Sequence, residues 1–177
     1  LRAVFLGTKK EIEWAFFDAP LKFRPELIYR LNDFLNNKTL INPIFALGKM
    51  LENKNEKIRT LGAGLWLAYE SNLSTIQFDY NTFNEVLSNS GKKKKILPNT
   101  PFLEWHYIKN NFFLKPNQLL KHKKKLSKIK ISIIQSDYDL LCPPQTSFNF
   151  ASGLSNCKVI RIANAGHYIS DPGVKEM

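Results

Sequence analysis

None of the eight glycines in these 177 residues brackets a serine in a Gly-x-Ser-x-Gly turn. A chain without that turn lacks the strained strand-to-helix elbow that presents a nucleophilic serine. Cysteine is nearly absent too. Cys142 and Cys157 stand in unrelated local contexts, which excludes a disulfide framework, and no Cys/His spacing suits zinc, so no metal or other cofactor is expected. Apolar runs stay well short of the roughly twenty residues that span a bilayer. No signal peptide is present in these residues, and a reducing cytoplasm is the default expectation. Acidic side chains are outnumbered, 15 against 26 basic, giving a net charge of +11. The excess gathers in lysine runs at 92–95 and 121–130, which raises the question of nucleic acid or anionic membrane. No aromatic platform is interleaved with those lysines and no nucleic-acid motif accompanies them. They read as solvated loop and helix-end positions, so neither nucleic acid nor membrane is expected as a partner.

The last forty residues carry the positive signal. Residues 130–135 form a buried-type strand that runs into Ser136, Asp137, Tyr138 and Asp139. Residues 158–162 form a second apolar strand that runs into Asn164, Ala165, Gly166 and His167. Between them, Pro143 and Pro144 open a helix through about Leu154. A strand–helix–strand unit makes a parallel pair whose strands end on the same sheet edge. Asp139 and His167 therefore emerge side by side at the carboxyl edge, where open α/β sheets bind ligands. An acid and then a histidine, each just past a strand, is the chain order of the second and third members of an α/β-hydrolase triad. The nucleophile precedes them in that order. The chain opens in a strand-like stretch at 1–7 and stops at 174–177, where a closing helix should begin. It is expected to be a C-terminal piece of a longer enzyme, cut at both ends.

Between residue 8 and the first of those strands the pattern is helical. Thr8 and Glu11 have the spacing of a capping box. Leu27, Ile28, Leu31, Phe34 and Leu35 recur at three and four, one face of a helix over 25–35. Asn42 and Pro43 start another helix, with a break near 53–55 and a resumption through Ile58, Leu61, Leu65, Trp66 and Tyr69. A short helical turn is expected at 83–87, a helix from Thr100 and Pro101 through Asn111, and a last one over 116–126. The expected organisation is a core strand and entry to a cap over 1–18, a helical cap over 19–126, and a C-terminal core over 127–177. The fold class that follows is α/β: the C-terminal part of an α/β-hydrolase sheet, with three strands, and an inserted all-helical cap.

Four stretches make a family resemblance specific. Residues 1–6 with Glu11 to Trp14 form the first. Leu65, Trp66, Leu67, Ala68, Tyr69 and Glu70 form the second, with Tyr69 where the family has a second tryptophan. Glu104, Trp105, His106 and Tyr107 with residues 110–114 form the third. Tyr138, Asp139, Cys142 and Pro143 with Ala165, Gly166 and His167 form the fourth. In this order they resemble the C-terminal half of the prolyl aminopeptidase (proline iminopeptidase) family, capped α/β-hydrolases. Ser136 and Asp137 depart from it, standing where the family has Gly and Arg.

The resemblance implies a serine aminopeptidase that releases N-terminal proline from peptides, with Asp139 and His167 as two catalytic residues and the serine outside these residues. His167 would accept the serine proton, and Asp139 would hold the imidazole tautomer. It also implies substrate binding by Glu70 and Glu104, whose carboxylates would take the free α-ammonium through charge-assisted hydrogen bonds, and by Trp66 as a wall for the proline ring. Cys142 would lie near the site and could meet thiol reagents without acting as nucleophile. His106 reads as a packing residue and His122 as solvated. The 177 residues alone are expected to be inactive. Two other classes stay open: a different capped serine hydrolase of esterase or epoxide-hydrolase type, and a non-catalytic basic binding module.

Overall fold

The computed structural model of the chain describes residues 2–88 and 99–175, so the lysines at 92–95 lie outside the described part. The capping box forms as the Thr8–Glu11 spacing requires. Thr8 Oγ1 accepts from Glu11 N at 3.2 Å, and Glu11 Oε2 accepts from Thr8 N at 2.9 Å. Glu11 Oε1 also accepts from Leu6 N at 2.9 Å, so one buried carboxylate ties the incoming chain to helix α1 (Lys9–Glu13). A π-helical turn follows over Trp14–Asp18, closed by Ala19 N donating to Trp14 O. Tyr69 Oη donates to Phe16 O across the core at 2.9 Å. Helix α2 (Ala19–Phe23) stops at Arg24, which leaves the helical region at φ −142° and ψ 51°, as the α region is disfavoured before a proline.

Pro25 then opens α3 (Pro25–Phe34), and Leu27, Ile28 and Leu31 are fully buried on the face their spacing defines. Each such side chain contributes about 1.5–3 kcal/mol by leaving water. Helix α4 (Ile44–Leu51) begins one residue past Pro43, with Asn42 Oδ1 accepting from Ile44 N at 3.1 Å. Gly48 in α4 lets the Trp105 ring lie flat against the backbone; a Cβ there would sit 2.4 Å from the indole. The break near 53–55 is real, and Asn55 caps the long α5 (Glu56–Ser74) by accepting from Lys57 N. Leu65, Trp66, Tyr69 and Leu73 of α5 are fully buried and form the centre of the helical core.

Later helices differ in extent from the sequence reading. Helix α6 (Tyr80–Ser88) is longer than a single turn, because Asp79 caps it through Asn81 N and Thr82 Oγ1. Helix α7 (Thr100–Lys109) ends before Asn111, since Asn111, Phe112 and Phe113 all take left-handed φ values of 49°, 55° and 56°. The stretch 116–126 divides into α8 (Gln118–His122) and a 3-10 turn over Lys123–Leu126.

Strand β1 (Ile131–Ser136) and strand β2 (Cys157–Ile162) pair in parallel, Ile131 opposite Cys157 and Ser136 opposite Ile162. Helix α9 (Pro144–Ala151) supplies the crossover that a parallel pair needs, and α10 (Pro172–Lys175) follows β2. Val4, Ile131, Ile133, Phe150 and Leu154 fill a second core under this sheet. The third strand expected over residues 1–7 is not found. One parallel bridge joins Arg2 to Ile134, and Ala3 N donates to Ile134 O at 2.8 Å. Ala3 then turns into the left-handed region at φ 48°, and the ladder goes no further. Among the described residues the architecture is therefore mixed α/β with a two-stranded parallel sheet. No described helix is long and apolar enough to cross a membrane.

Candidate active site

Both strands end at one edge, and the loops beyond them bring Asp139 and His167 together. His167 Nδ1 lies 2.9 Å from Asp139 Oδ2, although the two are 28 positions apart in sequence. The Asp139 side chain is 2% exposed and that of His167 35%. Asp139 Oδ1 accepts from Leu141 N at 3.1 Å and from Cys142 N at 2.8 Å, so the turn's own backbone fixes the carboxylate. With Oδ2 accepting from the Nδ1–H, the ring's Nε2 is left as the basic atom. The turn is braced twice more. Trp14 Nε1 donates to Leu140 O at 2.9 Å, and the buried Gln135 donates through Nε2 to Cys142 O at 3.1 Å. Gln135 Oε1 in turn accepts from Ser147 Oγ of α9.

A cavity of about 360 Å³ opens beside this pair. Arg2, His167, Glu70 and Glu104 are the charged or titratable groups of its polar wall, and Phe16, Phe112 and Leu141 form much of its apolar wall. Burial raises the Glu70 carboxyl from 4.5 to about 7, the negative Glu104 adds to the rise, and His167 opposes it. Burial also raises Glu104, but the bonds from Trp66 and Glu70 hold it down. Burial thus favours the neutral form of both carboxyls, and the negative Glu104 adds to this for Glu70. Trp66 differs from its expected place. It is fully buried rather than lining the cavity, and its Nε1 donates to Glu104 Oε2 at 2.7 Å. It stands behind the carboxylate pair as its donor, because a large indole on the inner face of α5 is worth more in the core than at a rim.

Cys142 also reaches the cavity. Burial, reinforced by the charges of Asp139 and Glu11 and opposed by Arg2, pushes its thiol up to about 12. A thiol so held carries almost no thiolate at neutral pH, so the reactivity towards thiol reagents expected from its position is suppressed. Asp139, Cys142 and His167 bring their ligand atoms within 4.8 Å of one another, but both Asp139 oxygens are already committed to hydrogen bonds. Asp137 accepts from Arg161 Nε at 2.8 Å in an exposed ion pair. His106 packs edge-on to Tyr107 and tilted against Phe113, and His122 is exposed.

Comparison with known proteins finds relatives over most of the chain. The chain is 25% identical over 175 residues to a probable proline iminopeptidase of Leptolyngbya boryana, covering 98% of this chain and 53% of the relative. It is 26% identical over 176 residues to a proline iminopeptidase of Arabidopsis thaliana, covering 98% and 45%. The chain is similar to proteins named proline iminopeptidase. A putative proline iminopeptidase of Mycoplasma pneumoniae matches 124 residues at 26% identity, 70% of this chain and 38% of the relative. The chain spans about half the length of the curated relatives it matches, consistent with their C-terminal half. No protein-family model matches it.

One buried polar residue at the site escaped the sequence reading. Asp171 is 4% exposed and accepts from both Gly166 N and Thr75 Oγ1. Its position before Pro172 reads in sequence as an ordinary helix-start aspartate, and only the partner 96 positions away gives it a different meaning.

Proposed function

We propose that the chain forms the acid–base and cap half of a serine aminopeptidase that removes N-terminal proline from peptides. The observation that carries the reading is the joint geometry of one cavity. A histidine paired to a buried aspartate lines the cavity together with two half-buried carboxyls, Glu70 and Glu104. In the reaction, a serine supplied from outside these 177 residues gives its proton to His167 Nε2 as its oxygen attacks the prolyl carbonyl carbon. Asp139 stabilises the imidazolium through Nδ1–H. The proton then passes to the leaving amine as the C–N bond breaks, and water releases the proline in a second round. Glu70 and Glu104 take the substrate's α-ammonium. A cation bound between them favours the ionised form of both carboxyls and offsets the burial that raises them. The apolar wall of Phe16, Phe112 and Leu141 suits the pyrrolidine ring.

The test compares two substrates on the full-length protein. A proline arylamide with a free amine should be cleaved, and its N-acylated form should not. Glu70→Gln or Glu104→Gln should each cost about 2–3 kcal/mol, roughly thirty- to a hundredfold in kcat/KM, on the free-amine substrate. A neutral ester that needs only the triad should lose little. Equal losses on both substrates would return the protein to the wider class of capped serine hydrolases. The 177-residue chain alone should release no proline, since no serine in it has the required turn.

A further inference from the structure

Asp171 links the two halves of the proposed site. Its Oδ2 accepts from Gly166 N at 2.6 Å, and Gly166 directly precedes His167. Its Oδ1 accepts from Thr75 Oγ1 at 3.0 Å, and Thr75 directly follows α5. Beside it, Tyr168 N donates to Ser74 O at 2.8 Å, so the residue after His167 is fastened to the same helix end. The approach is close enough that a Cβ on Gly166 would lie 2.9 Å from Ser74 O and 3.0 Å from Asp171 Oδ2. Ser74 is one helical turn beyond Glu70, and its Oγ donates to Glu70 O at 2.8 Å. One buried carboxylate thus bonds the loop that carries the base to the helix that carries the ammonium-binding acid. Burying a carboxylate costs free energy that a purely local turn does not need to spend. Here both oxygens are spent on joining two separate elements.

We propose that Asp171 is a positioning residue that sets the distance between Glu70 and His167, and so fixes cleavage one residue from a free amine. The inference rests on the proposed function, in which Glu70 holds the amine and His167 drives the chemistry. A substrate anchored at its amine must present its carbonyl at a fixed reach, and a displacement near 1 Å in such a pair costs up to about a hundredfold in rate. A substrate with no amine has no such reach to match.

The experiment uses the full-length protein with Asp171→Asn and Thr75→Val, assayed on a proline arylamide and on a neutral nitrophenyl ester, with Glu70→Gln as control. Folding is checked by thermal melting. Both clasp variants should lose about ten- to a hundredfold in kcat/KM on the arylamide, chiefly in kcat, while ester turnover changes by less than about threefold. Asp171→Glu, which keeps the charge, should recover part of the arylamide rate. Equal losses on both substrates would overturn the proposal, because the clasp would then serve His167 alone; no loss on either would overturn it as well. If Asp171→Asn does not fold, Thr75→Val removes one donor at nearly constant shape and decides the matter by the same criteria. A Glu70→Gln control without substrate selectivity would sink the aminopeptidase reading itself. A selective control beside unselective clasp variants would sink the clasp alone.

Discussion

Asp139 has a chemically similar neighbour two residues away, and the surroundings of the two aspartates separate their roles. Asp139 is buried, bonded by two backbone N–H groups and by His167 Nδ1, whereas Asp137 sits at the surface against Arg161. In the full-length protein, Asp139→Ala or His167→Ala should lower kcat by several orders of magnitude with substrate binding largely kept. Asp137→Ala should change it little, as surface ion pairs contribute about 0–1 kcal/mol. Steady-state kinetics on a proline arylamide separates these cases; near-normal turnover in the Asp139 variant would remove it from the site. Trp66 invites a different measurement. Its indole N–H is a donor that Glu104 receives in a buried place, and Trp66→Phe keeps most of the apolar volume while deleting that donor. A hydrogen bond to a charged group is worth about 1.5–3 kcal/mol. Affinity for a free-amine competitive inhibitor should fall roughly tenfold or more, while affinity for a neutral inhibitor is kept. Equal weakening of both would make Trp66 a packing residue only.

Among the elements, α1 and the π-helical turn after it matter more than their short lengths suggest. They carry the chain from the Arg2 bridge into the helices, and Trp14 braces the acid loop through Leu140 O. Thr8 and Glu11 start that path by satisfying each other's N-terminal donors. Thr8→Ala should cost about 1 kcal/mol of stability, visible as a lower denaturation midpoint with an unchanged slope. Because Glu11 also holds Leu6 N, Glu11→Ala should cost clearly more than Thr8→Ala. The reverse ranking would mean that the carboxylate's link to the preceding strand-like stretch contributes nothing.

For the molecule as a whole, the carboxyl pair under the helical block makes folding sensitive to pH. Glu70 binds its proton more tightly when folded, with its pKa raised from 4.5 to about 7 mainly by burial. A raised folded-state pKa gives stability that is complete below the unfolded value and is lost as pH rises through the folded one. Between pH 4.5 and about 7, the melting temperature of the wild-type protein should therefore fall relative to that of Glu70→Gln, which has no carboxyl at this position. Parallel melting curves for the two proteins across that range would mean that folding does not raise the Glu70 pKa. A substrate ammonium should restore stability at the upper end, by binding the dianion form of the native state alone.

Local chemistry is what the sequence alone determined about this protein. The Thr8–Glu11 box, the α3 face at Leu27, Ile28 and Leu31, the break at Asn55 and the two apolar strands each depend on neighbours a few residues away. Those interactions are present in any conformation near the native one. Asp139 and His167 were legible for the same reason, since a parallel strand pair brings both loops to one edge by topology. Tertiary structure decided the rest. It ended the expected first strand after one bridge, because Ala3 turns left-handed beside Ile134. It moved Trp66 from the cavity wall to a place behind Glu104, across 38 residues of chain. It raised the Glu70 carboxyl and the Cys142 thiol above their ordinary values by burial, and joined Asp171 to Thr75, 96 positions away. Burial and non-local hydrogen bonds set those properties, and neither is a function of spacing along the chain.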